Sequence, residues 1–187
     1  MTTPAHDRTP RQEPPAAEAD AKDWTFVITE GCSECGFAPF DAHDTATRLR
    51  SSIGGWHDVL ARPGVRTRPR PAVWSPLEYG CHVRDVCELF SARLNALLTA
   101  DPEVGARFAD WDQDATALER RYWDDDPTEV SRAYADLAGR LAREWDAVRE
   151  DQWDRRGTRS NGSQFTVATL GVYLIHDIEH HLHDVGA

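Results

Sequence analysis

Apolar side chains recur along this chain in four long stripes of helical period, separated by segments where glycine, proline and charge break the pattern. From Asp41 onward, Leu49, Ile53, Trp56 and Leu60 fall at spacings of four, three and four, as in a helix with one buried face. The following GVRTRPRPAVW is too rich in proline to be regular and reads as a loop. Ser75-Pro76-Leu77-Glu78 sets a capping box around a proline at the first helical position, which predicts a second helix from there to about Thr99. Its core stripe is Val83, Val86, Cys87, Phe90, Leu94 and Leu97. A polar stretch with Trp111, Trp123 and the acidic run Asp124 to Asp126 has room for a short helix. Asp126-Pro127-Thr128-Glu129 then repeats the cap-and-proline signal ahead of Val130, Tyr134, Leu137, Leu141, Trp145 and Val148, the clearest stripe of the four. RRGTRSNGSQ reads as a loop from its composition, and a fourth helix is predicted from Phe165 to Asp184 on Val167, Leu170, Leu174 and Ile178. Four such helices predict an all-α fold, a four-helix bundle whose long connections argue against simple up-and-down packing.

The first 22 residues are rich in Pro, Ala, Glu and Thr and carry almost no large apolar side chains. They are predicted to be a disordered tail, with residues 23–187 forming a single domain, since 187 residues supply one core comfortably and two poorly. Between tail and bundle, WTFVITEGCSECGFAPF (24–40) reads as a short β-like run followed by glycine and cysteine punctuation, an extended lead-in. The N-terminus lacks the apolar segment of a secretory signal, and no run of about 18 apolar residues exists to span a bilayer. A cytoplasmic protein with no membrane partner is expected. A net charge of -11, without an uninterrupted basic run, disfavours nucleic acid as a partner. Lys22 is the only lysine among 21 basic residues, a bias that points to a GC-rich genome and changes nothing about mechanism.

Chemistry concentrates in HDIEHHLHDV, which holds four of the eight histidines. At about 100° per residue, His176 and His180 lie roughly 40° apart on one helical face, with His183 about 20° to the other side. Histidines at i and i+4 can reach one ion, as in HExxH helices. A third ligand must come from elsewhere, and His82 is the one histidine inside the second predicted helix. Asp85, one turn on, could orient a ligand ring. His6, in the tail, and His43 and His57, on the first helix, are weaker candidates. His176, His180 and His82 therefore form the expected metal site, against the plainer reading of histidines solvated at a helix C-terminus. Three ligands would leave an open position for water or substrate.

In that order and separation, WSPLEYGCHVRD and LIHDIEHHLHDV resemble the DinB/YfiT-like metalloprotein superfamily, which includes mycothiol- and bacillithiol-dependent transferases, over about residues 41–185. The resemblance implies a four-helix bundle, often a homodimer, with His82, His176 and His180 as ligands and His181 and His183 as flanking residues. It also implies thiol chemistry: a divalent metal, zinc ahead of nickel or iron, activating a low-molecular-weight thiol for transfer to a small electrophile. HDIEHHLHDV is similar to the actinobacterial branch, which points to mycothiol. Two alternatives stay open, a metal-dependent hydrolase using water at the same position and a non-enzymatic stress-response protein that binds the metal structurally.

Several residues are weighed beside this site. Cys32 and Cys35 form a CxxCG half-knuckle, a candidate second metal or redox pair whose partner pair is missing, because Cys81 and Cys87 lie six residues apart on a helix, about 120° around it. Those two read as small core residues. Arg159 could clamp a substrate carboxylate from the loop before the last helix, though a solvated arginine is the commoner case. Thr169 and Tyr173 share the face of His176 and would line a cavity below the metal. Trp111 and Trp123 could lid an apolar substrate or simply pack.

Overall fold

A computed structural model describes residues 11–18 and 22–187, and the elements below are those of the described residues. Four long helices form the bundle: α2 (Thr45–Leu60), α3 (Pro76–Thr99), α5 (Pro127–Asp146) and α6 (Val167–Asp184), with two short ones, α1 (Val27–Glu30) and α4 (Gln113–Glu119). Helices α2 and α3 each pack on both α5 and α6, so the long connection between α2 and α3 carries the chain across the bundle. The start of α3 follows its capping box: Ser75 Oγ accepts from the Glu78 N–H, and the Glu78 carboxylate accepts from the Ser75 N–H at 2.8 Å. Helix α5 begins at Pro127 behind Asp126, whose carboxylate accepts from the N–H groups of Thr128 and Glu129. The stripes of α3 and α6 are buried throughout, and Leu49, Trp56, Leu60, Val130, Tyr134, Leu141 and Trp145 are buried on α2 and α5. Ile53, Leu137 and Val148 stand at the core's edge.

The all-α expectation needs one correction. A three-stranded sheet of β1 (Ala106–Phe108), β2 (Arg156–Arg159) and β3 (Gln164–Thr166) closes one end of the bundle, with β1 parallel to β2 and β2 antiparallel to β3. The segment read as a loop is thus a hairpin, turned at Ser160-Asn161-Gly162 with Gly162 at φ 97° and closed by Arg159 N–H donating to Ser163 O at 2.9 Å. Strands of three or four residues are too short to show alternation, and with Arg159-Ser160 and Ser163-Gln164 polar on either side, Asn161-Gly162 was the remaining hairpin signal. Gly157 lets the hairpin sit on α3, since a Cβ there would meet Leu97 Cδ2 at 2.7 Å and Phe108 Cε1 at 2.8 Å. Phe165 belongs to β3, so α6 starts at Val167 and not at the expected Phe165.

The lead-in is also corrected. Residues 24–30, read as β-like from their branched and aromatic side chains, are helical. Asp23 caps them, its carboxylate accepting from the Thr25 N–H at 3.0 Å, and burial of Val27 against the bundle overrides β propensity. Of the expected tail, residues 1–10 and 19–21 lie outside the described residues. Residues 11–18 have no regular structure and run along the body, where Glu18 N–H donates to Ala72 O at 2.9 Å. No helix among the described residues is long and apolar enough to cross a membrane.

Candidate metal centres

Helix α6 carries HDIEHH, and one-residue offsets within it decide what meets what. Asp177 and His181 are four apart and meet α3. His176 and His180, also four apart but about 100° round the helix, meet the N-terminal segment. Two groups of potential metal donors result among the described residues: His82, Asp177 and His181, and Cys32, Cys35, His176 and His180.

In the first group His82 is fully buried on α3. Its Nε2 lies 3.1 Å from Asp177 Oδ1, and His181 Nε2 lies 3.6 Å from the same oxygen. The two imidazoles meet edge to face at 4.9 Å. Tetrahedral donors at zinc–nitrogen and zinc–oxygen distances stand about 3.4 Å apart, and the two observed separations bracket that value. The Trp111 ring stacks on His82 at 5.3 Å and Trp74 packs on its flank at 5.4 Å, so indole covers the imidazole from two directions. Behind His181, Nδ1 lies 2.8 Å from Asp184 Oδ2. With its proton on Nδ1 donated to that carboxylate, His181 leaves the Nε2 lone pair for the centre.

The electrostatics suit ligation. Burial pushes the Asp177 carboxyl up, but the charge and hydrogen bond of His82, with His181 and His176, outweigh it and hold the group at about 2. His176 is lowered to about 4, by burial first and then by His180, and burial also lowers His180. At neutral pH the carboxylate is therefore charged and these two imidazoles are neutral.

Sequence comparison now adds the family. The DinB superfamily model matches residues 63–185. The chain belongs to the DinB superfamily. Among curated proteins none matches it. A solved structure, that of YfiT from Bacillus subtilis, is similar in fold with a TM-score of 0.67 at 16% identity, covering 84% of this chain and 89% of that one. YfiT is described as a probable metal-dependent hydrolase with an unusual four-helix bundle topology.

In this DinB chain the expected triad does not assemble as one group. His82 stands with Asp177 and His181, while His176 and His180 turn to Cys32 and Cys35. Asp85 does not orient His82: its carboxylate accepts from Tyr122 Oη, from Arg84 Nε at 2.8 Å and pairs with Arg120 at 3.0 Å, while His82 Nδ1 is buried without a partner. Thr169 completes the capping box of α6 with Thr166 and borders a surface cleft of about 850 Å³ along the sheet, which His82, Asp177 and His181 do not line. Tyr173 lies one turn before Asp177, between Phe90 and Phe165, and its hydroxyl is raised by burial and then by the Asp177 charge. Arg159 is 11% exposed: its Nη2 donates to Ser163 Oγ at 3.1 Å and its Nε to Asn161 Oδ1 at 3.0 Å, it pairs with Asp110 at 3.5 Å, and its guanidinium lies 5.9 Å from the Tyr173 ring. Beside it, Arg93 is buried under Phe90 and Phe108 with Nε unpartnered, and is lowered to about 10 by burial and then by Arg159. Cys81 and Cys87 are buried thiols pushed up by burial, as core residues should be. Trp123 is buried away from His82, near Arg121. Sequence reasoning did not single out Asp177, Asp184 or Arg93, and gave His181 only as a flanking residue. An Asp-x3-His at the same i, i+4 spacing as His-x3-His was a readable signal for Asp177 and His181.

Proposed function

We propose that this DinB protein is a metal-dependent enzyme with its reactive centre at His82, Asp177 and His181, hydrolysing a small substrate that carries an anionic group. The observation carrying this reading is the convergence of three donors from two helices, two imidazoles and one carboxylate. Catalytic zinc sites use such a set and keep one position free. A divalent cation held there, zinc by preference with nickel or iron also compatible with imidazole, supplies Lewis acidity and lowers the pKa of a nucleophile brought to it. Asp177, ionised at neutral pH, offsets only one of the cation's two charges, which leaves the centre attractive to an anionic nucleophile or substrate. Asp184 fixes the His181 tautomer, and Trp74 and Trp111 keep water from His82. Arg93 and Arg159, on the Tyr173 side, offer guanidinium groups for a carboxylate or phosphate.

Transfer of a thiol such as mycothiol is the second reading, favoured by the resemblance of WSPLEYGCHVRD and the last-helix motif. The carboxylate donor and the description given to YfiT support the hydrolytic reading over it. Elemental analysis of the wild type beside His82→Ala and Asp177→Ala, with turnover of carboxylate-bearing esters and amides measured with and without mycothiol, separates them. Each variant is expected to lose one metal equivalent, and hydrolysis to proceed without thiol. Full metal retention by His82→Ala would remove this centre, and turnover only with thiol would replace hydrolysis by transfer.

A further inference from the structure

The geometry points to a second metal site, a closed centre of Cys32, Cys35, His176 and His180 that takes a zinc-class cation and fixes the N-terminal segment to α6. CxxC and His-x3-His are each half of a Cys2His2 set, and the fold brings together halves that lie more than 140 residues apart. One ligand atom from each of the four residues falls within 4.8 Å of all the others. Zinc–sulfur bonds of about 2.3 Å and zinc–nitrogen bonds of 2.0–2.1 Å put tetrahedral S and N donors about 3.6 Å apart, and Cys32 Sγ lies 3.8 Å from His180 Nδ1.

The backbone around the cysteines is already shaped for this. Cys32 N–H donates to Phe37 O at 2.8 Å and Gly36 N–H to Cys32 O at 2.9 Å, forming a tight loop with Gly36 at φ 76°. Both cysteines are free thiols. His176 Nε2 is buried and has no hydrogen-bond partner. Trp24 packs on both imidazoles, at 5.3 Å and 4.8 Å, and Phe37 meets His176 edge-on at 5.1 Å. Such a surround penalises net charge, and a dication with two thiolates and two neutral imidazoles carries none. On binding, the two thiol protons go to solvent and no redox step occurs. Four protein donors leave no open position, so this centre is structural, and its role is to hold Trp24 and Phe37 against the helix that carries Asp177 and His181.

The test uses full-length protein loaded with zinc or cobalt(II), comparing wild type, His82→Ala and Cys32→Ser/Cys35→Ser. Wild type is expected to hold two equivalents, with one left in each variant. Cobalt-loaded His82→Ala should show tetrahedral ligand-field bands and a thiolate-to-cobalt charge-transfer band that the double serine variant lacks. Because that variant could lose its fold, Cys35→His is the control: it should keep the equivalent with about half the charge-transfer intensity, as expected of two thiolates reduced to one. A folded, cobalt-loaded His82→Ala without a charge-transfer band would overturn the proposal, as would a Cys32–Cys35 disulfide in the freshly isolated protein. If His82→Ala keeps both equivalents while the double serine variant loses one, this site stands and the reactive centre fails.

Discussion

Asp184 divides its two carboxylate oxygens between the centres, and that division sets an asymmetric expectation. Oδ2 lies 2.8 Å from His181 Nδ1, whereas Oδ1 lies 3.7 Å from His180 Nε2. Only the first is a hydrogen-bond distance. A carboxylate behind a ligand histidine is worth about 10–100-fold in metal affinity, or about 1.4–2.8 kcal/mol. The side chains of Asp184 and His181 are 29% and 18% exposed, so screening moves the expectation to the lower half of that range, about 10–30-fold for Asp184→Ala at the His82 centre. At the cysteine centre the longer contact is worth less than about fivefold. Asp184→Asn keeps an amide oxygen for the Nδ1 proton while losing the charge, and should fall between wild type and alanine. Zinc affinities measured by competition with a chromophoric chelator, in Cys32→Ser/Cys35→Ser and His82→Ala backgrounds, separate the two centres. Equal losses at both centres, or wild-type affinity in Asp184→Ala at the His82 centre, would refute the reasoning.

Gly31 sits at φ 75° and ψ -172°, and a Cβ there would meet Phe37 O at 2.5 Å. Gly31→Ala should therefore cost about 1–3 kcal/mol and weaken zinc at the cysteine centre alone, read by metal content against thermal unfolding; undiminished zinc there would contradict it. In metal-stripped protein, His176 titrates at about 4 when folded against about 6.5 unfolded. The unfolded chain thus takes the proton first, and stability falls by about 3 kcal/mol as pH drops from 6.5 to 4. Asp177, at about 2, adds its loss only as pH falls from about 3.8 towards 2. Urea titrations at stepped pH check both windows, and a curve flat between 6.5 and 4 would exclude the first. Arg93 forms no ion pair with a carboxylate among the described residues, its Nη2 donating to Ala109 O at 3.2 Å, so Arg93→Gln should raise KM by at least about tenfold while leaving metal content unchanged. A change in kcat alone would exclude a role in holding the substrate anion.

Helices were legible where burial is one-sided and termini carry chemistry. The stripes of α3 and α5, each behind a cap and a proline, needed no tertiary information to be placed. The segment 24–30 was not legible, because its branched and aromatic side chains favour strand locally and only Asp23 and the packing of Val27 turn it into helix. The sheet was hidden by length: three-residue strands have no period, and β1 finds its parallel partner β2 about 50 residues away in sequence.

The site was half legible for a different reason. Spacing drew attention to residues 176–181 and to His82, all of which fall in the two groups of potential donors or between their members, but a periodicity of 3.6 lets one helix hold two i, i+4 pairs offset by a single residue. His176/His180 and Asp177/His181 are such pairs, and histidine counting sees only the first. What decides between them is the partner each face meets, His82 on one side and the Cys32–Cys35 loop on the other, and that depends on tertiary packing of a segment outside the bundle. The CxxC pair lacked a partner in the sequence because the two imidazoles that the fold brings to the cysteines were grouped there with His82. On the proposed reading a single exchange of partners accounts for both groups, and would give a three-donor centre with room for substrate and a four-donor centre without it.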